Sequence, residues 1–397
     1  MAHAFTVVDA DSHVYEPPAI WTDYLSERER TLAEDAFWHE RGPRGTELTV
    51  VNGKTVRSLH RSALNRFACF RPGATIESIA ALDPTQPSDD TPGAADGAAR
   101  VRDLDALGID QQVVFPTIFA EHLPVVESPR AAVALARAYN DWVRDLASAA
   151  PDRLHPVGVL PLQSIPGALD EIERLAGAGF HAALIRPSFH DGRFINHSDY
   201  NPVWDALSDA GLVACIHPSV GNTNPEFTSA GSFVERVATN LGIGHDIAPA
   251  IAPVQDNMSA VLALCYYGHR EDRPDLKLAL CHAGAAWFEL ALEKSETYLW
   301  LFPAGPVPVT LEPEELWLEQ ATLVTFDAWE DSVGIISDVY GRVGAWGSRY
   351  PHHDATTPDE AIAMLERHHV EAATIAQMMG GNATRLYGLA VPEPAGA

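Results

Sequence analysis

The chain begins with a short β-branched run that ends in a carboxylate and an imidazole. Asp11 and His13 stand two residues apart at the end of the run that starts at Val7. Residues i and i+2 of a strand point to the same face, so both side chains can reach one point. An oxygen and a nitrogen ligand at a strand end are half of a divalent metal site. An ordinary strand that leaves the core through a polar turn explains this pattern equally well.

Two later apolar runs also end in a histidine. His217 closes the run from residue 213, and His282 closes the run from residue 278. A lone histidine at a strand end is usually a satisfied core or surface group. Three histidines that meet beside a carboxylate instead favour a metal site or an acid–base site.

Eight apolar runs separated by helical sequence would bring these residues together. The runs cover residues 7–13, 112–117, 155–161, 182–187, 213–218, 278–283, 321–326 and 343–348. Eight such units predict an α/β protein with a (β/α)₈ TIM barrel, whose strands end at one mouth. A doubly wound open sheet is the alternative, but no glycine-rich nucleotide loop follows any run.

We interpret residues 1–397 as a single domain with one large insertion. Residues 17–99 are poorly periodic, and 83–93 have the Pro, Ser and Asp content of a loop. We expect this insertion to form a flap over the barrel mouth. With the loop 219–244, it should determine the shape of the pocket.

The composition excludes several classes of partner. The formal net charge of −27 argues against nucleic acid and against anionic membrane surfaces. The sequence has no apolar stretch of membrane-spanning length and no secretory signal at its start. The four cysteines lack metal-ribbon spacing, which is typical of reduced structural thiols. We therefore expect a cytoplasmic protein.

Six short motifs are spread in order along almost the whole chain. They are DADSHVYEPP at 9–18, LDALGID at 104–110, YNDW at 139–142, PDLKL at 274–278, GSRYPH at 347–352 and GNATRLYG at 381–388. In order and placement they resemble the amidohydrolase superfamily, in the branch that includes aminocarboxymuconate semialdehyde decarboxylase and related aromatic-acid decarboxylases. The resemblance implies the same barrel fold.

The resemblance also implies how the site is built. It implies one divalent metal, Zn or Mn, bound by Asp11, His13 and His217, without an organic cofactor. It implies that His282 transfers a proton rather than binding the metal, and an imidazole suits that role. A homodimer is implied as well.

One position departs from the pattern of the family. Where the family has Gly-Ser-Asp-Tyr-Pro-His, this chain has Arg349 in place of the aspartate. A guanidinium has no lone pair, so it can be neither a ligand nor a base.

Three accounts of this substitution are open. In the first, the metal stays on its three ligands and Arg349 grips a substrate carboxylate or phenolate. In the second, Asp354 folds back and takes the missing role. In the third, the metal is weakly held or absent, and Arg349 pairs with Asp11 in its place.

Two more residues are candidates for substrate binding together with Arg349. Arg186 follows the fourth run and could clamp a carboxylate, although a salt bridge between elements is an equal alternative. His352 and His353 follow a proline turn, and one of them could face the mouth; we take His352 as the candidate.

These observations predict an amidohydrolase-superfamily enzyme that acts on a small carboxylated or aromatic molecule. Non-oxidative decarboxylation is the expected reaction, with His282, Arg349 and Asp354 as catalytic residues. Metal-dependent hydrolysis of an amide, ester or lactone is one alternative. The replacement of the eighth-strand aspartate leaves a metal-free lyase or cyclase, or a non-catalytic binding protein, as another.

Overall fold

The barrel is formed by eight parallel strands that pair in chain order. The computed structural model describes residues 3–41, 47–55, 69–81, 91–218, 248–266, 268–301 and 311–391. Neighbouring strands form ladders from the first to the eighth. The segment after the eighth strand lies against the first, because the Ser348 amide donates to Asp9 and the Arg349 amide donates to the Asp11 carbonyl. The sheet is thereby nearly closed, and the prediction of an α/β TIM barrel is confirmed.

The barrel strands are named first to eighth in chain order. They are Val8–His13, Gln111–Phe115, Leu154–Val159, Ala182–Ile185, Val213–Ile216, Leu278–Leu280, Thr322–Phe326 and Gly344–Trp346. Every predicted run overlaps one strand, but several runs extend beyond the last ladder pair. His217 and His282 therefore lie in the turns just after their strands. Apolar patterning does not reveal where ladder hydrogen bonds end.

Helices follow the strands and cover the sheet. The α-helices are Ile20–Asp23, Glu27–Ala36, Ile76–Ala80, Gly97–Leu107, Ile118–His122, Pro129–Ala147, Ile165–Gly177, Asn201–Asp209, Ala248–Tyr266, Ala286–Leu301, Asp331–Ile335, Ser337–Val343, Pro358–Arg367, Ala372–Ala376 and Asn382–Tyr387. Short 3₁₀ turns span Pro92–Ala94, Leu123–Val125 and Ser198–Tyr200, and π-helical turns span Glu315–Glu319 and Gln377–Gly381. Among the described residues, no helix is long and apolar enough to cross a membrane.

The segment predicted to be an insertion carries a small sheet of its own. Strands Phe37–Arg41, Glu47–Val51 and Lys54–Thr55 pair antiparallel after two short helices. Its role as a flap over the mouth and the single-domain organisation stay predictions. Residues 56–68 and 82–90 of the insertion, and the predicted pocket loop 219–244, lie outside the described residues.

The first strand is fully buried and irregular at its centre. Its register against the second strand shifts between Asp9 and Ser12. Such a bulge redirects the side chains that follow it. This irregularity immediately precedes His13, which with Asp11 is a candidate site residue.

A buried arginine fixes the end of this strand. Arg100, on the helix Gly97–Leu107, is fully buried. Its guanidinium donates to the His13 carbonyl at 2.8 Å, to Ser12 Oγ at 2.9 Å and to Gln112 Oε1 at 2.8 Å. Gln112 in turn donates to Asp9 at 2.8 Å. The first and second strands are thus locked together beside the mouth.

This lock predicts a large loss of stability in Arg100→Met. The substitution leaves the His13 carbonyl and its neighbours buried without a donor, so the free energy of unfolding should fall by about 3 kcal/mol or more. Denaturant unfolding followed by circular dichroism measures it. The matched control, Arg102→Met, changes an exposed residue of the same helix and should leave the midpoint unchanged. Equal midpoints for the two variants would contradict the lock.

Candidate metal centre

Four side chains, from the first strand and from the turns after the fifth and sixth strands, meet at the barrel mouth. Asp11, His13, His217 and His282 each offer a ligand atom, and these atoms all lie within 4.8 Å of one another. Asp11 Oδ1 is 3.3 Å from His13 Nε2 and 3.5 Å from His217 Nε2. The four residues are at most 9% exposed. The structure thus brings the expected ligands and the expected proton-transfer residue into one cluster.

The tautomers of two histidines follow from their second contacts. His13 Nδ1 lies 3.0 Å from the Pro116 carbonyl, and His217 Nδ1 lies 2.8 Å from the Pro218 carbonyl. A carbonyl only accepts, so each neutral ring carries its proton on Nδ1. Each Nε2 then directs a lone pair toward the carboxylate.

This arrangement leaves acceptors facing one another. Asp11 Oδ1, His13 Nε2 and His217 Nε2 are buried and make no hydrogen bond to any described residue. Three converging lone-pair atoms repel each other unless a cation lies between them. One carboxylate oxygen with two imidazole nitrogens is a suitable donor set for Zn²⁺ or Mn²⁺. These residues therefore fit a divalent metal.

The protonation states of Asp11 and His217 are also those that bind a divalent metal. Burial raises the pKa of Asp11, but positive charge on the His13 and His217 rings, when they are protonated, holds it well below its usual range, so the carboxylate is ionised whenever a cation lies beside it. Burial lowers the pKa of His217. An ionised carboxylate and a neutral imidazole are the forms that bind metal.

Backbone and hydroxyl donors orient the carboxylate from the other side. Asp11 Oδ2 accepts from the His282 amide at 2.8 Å and from Thr325 Oγ1 at 3.3 Å. Thr325 belongs to the seventh strand, which motif spacing did not connect to the site. Oδ2 is thus occupied by the scaffold, and Oδ1 is presented to the histidines.

His282 occupies an unusual backbone position. Its φ of +62° lies in the left-handed region, which is costly for a residue with a Cβ. Its ring stacks on His217 with centroids 4.8 Å apart, and its Nδ1 has no hydrogen-bond partner in the part of the chain that the structure describes. Burial, together with the charge of Arg349, lowers the pKa of His282 well below its usual value.

Arg349 does not pair with Asp11 through its side chain. Its Nη2 lies 2.8 Å from Asp327 Oδ2, and its Nη1 lies 2.7 Å from Asp354 Oδ2. Only its backbone amide contacts Asp11, by donating to the carbonyl at 2.8 Å. The pairing in the third account is therefore wrong, because two other carboxylates bind the guanidinium. The same contacts show that Asp354 serves as a partner of Arg349.

Asp327 is a site residue that sequence reasoning missed. It directly follows the seventh strand, and this position after an apolar run was the available signal. Burial raises the pKa of Asp327 to about 7. Burial would also raise the pKa of Asp354, but the charge of Arg349 holds it well below its usual range.

The remaining expected substrate-binding residues lie around the cluster. The His352 ring stacks on His13 with centroids 4.3 Å apart, and its Nε2 is 3.1 Å from Thr117 Oγ1. His352, rather than His353, is thus the one whose ring contacts His13 of the cluster. Arg186 directly follows the fourth strand, beside the turn that carries His217.

The two ion pairs of Arg349 predict a testable stability cycle. Arg349→Met leaves the buried Asp327 and the partly exposed Asp354 without their cation, which should lower the free energy of unfolding by about 3 kcal/mol. Adding Asp327→Asn and Asp354→Asn should recover most of that loss, as measured by denaturant unfolding. Arg367→Met, which breaks an exposed ion pair with Asp331, is the control and should have little effect. If the triple variant is as unstable as Arg349→Met, the uncompensated carboxylates do not cause the loss of stability, and this prediction is wrong.

Comparison with known proteins places this site in context. The family model described as amidohydrolase matches residues 8–389. Gamma-resorcylate decarboxylases from Rhizobium sp. (strain MTP-10005) and Rhizobium radiobacter are each 24% identical over 193 residues. Each match covers 47% of this chain and 54% of the relative. The chain thus spans about half the length of the curated relatives it matches.

Solved structures share the fold over nearly the whole chain. An amidohydrolase from Mycobacterium avium subsp. paratuberculosis K-10 is 17% identical with a TM-score of 0.76, and the match covers 98% of this chain and 100% of that one. The 2,6-dihydroxybenzoate decarboxylase from Rhizobium is 16% identical with a TM-score of 0.63, covering 97% and 99%. A dihydroxybenzoic acid decarboxylase from Polaromonas sp. JS666, with bound manganese and the inhibitor 2-nitroresorcinol, is 15% identical with a TM-score of 0.63, covering 97% of each chain. With its family match over almost every residue and its barrel, this chain belongs to the amidohydrolase family.

Proposed function

We propose that this chain is a metal-dependent enzyme that removes CO₂ non-oxidatively from a small hydroxylated aromatic acid. The observation that carries the proposal is the convergence of unpartnered Asp11 Oδ1, His13 Nε2 and His217 Nε2 beside His282. The decarboxylase names of several relatives and solved structures support the choice of reaction.

Asp11, His13 and His217 would hold the metal. A divalent ion bound there would polarise a substrate oxygen and attract the anionic substrate. The Asp11 carboxylate is kept in place by the His282 amide and Thr325, so the ligand geometry is fixed before the substrate arrives. Manganese in the Polaromonas structure makes Mn²⁺ the first ion to test, with Zn²⁺ second.

His282 would relay to the ring carbon the proton that replaces CO₂. Because the pKa of His282 lies well below its usual value, the ring is neutral at rest and would take this proton from solvent before passing it on. His282 is the cluster residue whose ring nitrogen Nδ1 is left over once the three ligands are assigned. Its stacking on His217 and its backbone position restrict its motion, so the proton is transferred at a fixed place. His352, whose ring stacks on His13, would contact the aromatic ring of the substrate at the mouth.

Arg349 favours decarboxylation over hydrolysis. Hydrolysis needs a base that takes a proton from the attacking water. Asp327 and Asp354 are the carboxylates that surround the substituted position, and both are bound by Arg349. The carboxylates that could act as that base are thus engaged, whereas proton delivery by His282 needs neither of them. We propose that Arg349 contacts the substrate at the mouth with a charge that Asp327 and Asp354 compensate, and that Asp354 keeps its side chain in position.

The assembly and location of the protein are also part of the proposal. We infer a homodimer from the family resemblance and a cytoplasmic location from the cysteine pattern, which is typical of reduced structural thiols. Light scattering coupled to size-exclusion chromatography measures the oligomeric state. A monomer at all protein concentrations would contradict the homodimer.

The metal proposal predicts about one Mn²⁺ or Zn²⁺ per chain. His217→Ala removes one of three ligands, so it should weaken binding by more than about 100-fold, since even outer contacts of metal ligands cost 10–100-fold. Calorimetry and elemental analysis measure affinity and content. His197→Ala, at a half-exposed histidine outside the cluster, is the control and should bind like the wild type. Unchanged affinity in His217→Ala would overturn the ligand assignment.

The proton-transfer proposal predicts a loss of turnover without a loss of metal. With 2,6-dihydroxybenzoate and related hydroxybenzoates as substrates, His282→Asn should lower kcat for CO₂ release by about 10²–10⁴-fold. Its metal content should stay at the wild-type level. Loss of the metal together with activity would make His282 a ligand instead. Turnover of esters or lactones by the wild type, with no CO₂ released from any hydroxybenzoate, would contradict decarboxylation.

A further inference from the structure

A second buried cation lies at the barrel mouth beside the metal cluster. Arg186 is 2% exposed. Its Nη1 donates to the carbonyls of Ala120 and Glu121 at 3.3 and 3.5 Å, which are long contacts. Its Nε and Nη2 make no hydrogen bond, and it forms no ion pair within the described ranges. A buried charge without a partner is costly, so such a group needs a reason to be retained.

The two free nitrogens form one edge of the guanidinium. The Nε–H and Nη2–H bonds run parallel and are spaced like the two oxygens of a carboxylate. This is the edge with which arginine binds a carboxylate through two hydrogen bonds. The scaffold uses only Nη1 and leaves this edge open.

Strand register puts Arg186 on the same face as His217. Leu184 is paired with Cys215 and Ile185 with Ile216, and the His217 amide donates to the Ile185 carbonyl at 3.2 Å. Continuing the register by one residue places Arg186 beside His217. Paired residues of parallel strands point to the same face. The open edge and the metal ligand thus belong to the same mouth.

The histidines near Arg186 are neutral, so its guanidinium carries the positive charge in this part of the mouth. It lines a small cavity with His190 and apolar side chains that include Leu160 and Leu184. Burial lowers the pKa of His190 to about 4 and that of His122 to about 3, so both rings are neutral near pH 7. The charges of Asp256 and Glu121 act on Arg186 without forming an ion pair with it.

We propose that Arg186 binds a second carboxylate of the substrate, one that remains in the product. This rests on the decarboxylase function proposed above and narrows the substrate to a hydroxylated aromatic acid with two carboxylates. A carboxylate gripped by two charge-assisted hydrogen bonds is stabilised more than the CO₂ it would become. Such a grip on the departing group would slow the reaction, so the group held by Arg186 is a spectator.

The test compares a di-acid with a mono-acid in Arg186 variants. Arg186→Met removes the charge, and Arg186→Lys keeps the charge but loses the two-pronged edge. Kinetics use 4-hydroxyisophthalate as the di-acid and 2,6-dihydroxybenzoate as the mono-acid. Calorimetry with isophthalate, which lacks the hydroxyl group, measures binding without turnover. Arg193→Met, at an arginine with two partly exposed ion pairs, is the control.

We expect KM for the di-acid to rise about 30-fold in Arg186→Met and about 10-fold in Arg186→Lys, with little change in kcat. The mono-acid constants should stay at the wild-type level, and isophthalate binding should weaken in parallel. Without ligand, the unfolding temperature of Arg186→Met should stay unchanged or rise, because an unpaired buried charge is removed.

Equal losses for both acids, or a lower unfolding temperature in both Arg186 variants, would assign Arg186 a structural role and overturn the proposal. If the wild type decarboxylates neither acid, the proposed function fails, but isophthalate binding still tests the carboxylate subsite. If Arg186→Met then binds isophthalate as tightly as the wild type does, the subsite proposal is overturned as well.

Discussion

The two oxygens of the buried Asp11 carboxylate have different tasks, and the rest of the site depends on that division. Oδ2 is held by the His282 amide and Thr325, which belong to the protein scaffold. Oδ1 faces the Nε2 atoms of His13 and His217, whose protons are drawn to carbonyls on the far side of each ring. The orientation of the carboxylate is therefore fixed, and its Oδ1 atom has no cation or hydrogen-bond donor among the described residues. A divalent ion would supply the positive charge that the folded chain lacks at that point.

The charge of Arg349 is balanced by residues that follow the seventh and eighth strands, apart from the metal ligands. An arginine in place of the eighth-strand aspartate would oppose a bound cation if its charge were free. Asp327 and Asp354 surround the guanidinium of Arg349 at hydrogen-bonding distance. The substitution is thus compensated locally, and the metal centre next to it keeps its own carboxylate. On the other side of the mouth, Arg186 is left without such compensation. The two arginines therefore differ in what they offer a ligand.

The sequence predicts the barrel and the central cluster because both rest on simple periodicities. Alternating strand and helix patterns identify eight strands, and parallel strands must end at one mouth. This rule is enough to bring His217 and His282 to Asp11. The resemblance to the amidohydrolase superfamily agrees with the family match.

The remaining features depend on contacts that no short pattern records. Asp327 and Thr325 act through side-chain geometry on the seventh strand, and the partners of Arg349 come from residues 22 and 5 positions away. The bulge at Asp9–Ser12 arises from strand pairing. The choice between His352 and His353 follows from ring stacking on His13. Each of these results from tertiary packing, which overrides local sequence preference.

A crystal structure of the protein grown with Mn²⁺, with anomalous diffraction recorded for manganese, tests the central claim most directly. The account predicts one anomalous peak within coordination distance of Asp11 Oδ1, His13 Nε2 and His217 Nε2. It also predicts that Arg349 keeps its contacts with Asp327 and Asp354. The absence of a peak there at saturating Mn²⁺, with the guanidinium of Arg349 turned onto Asp11, would contradict it.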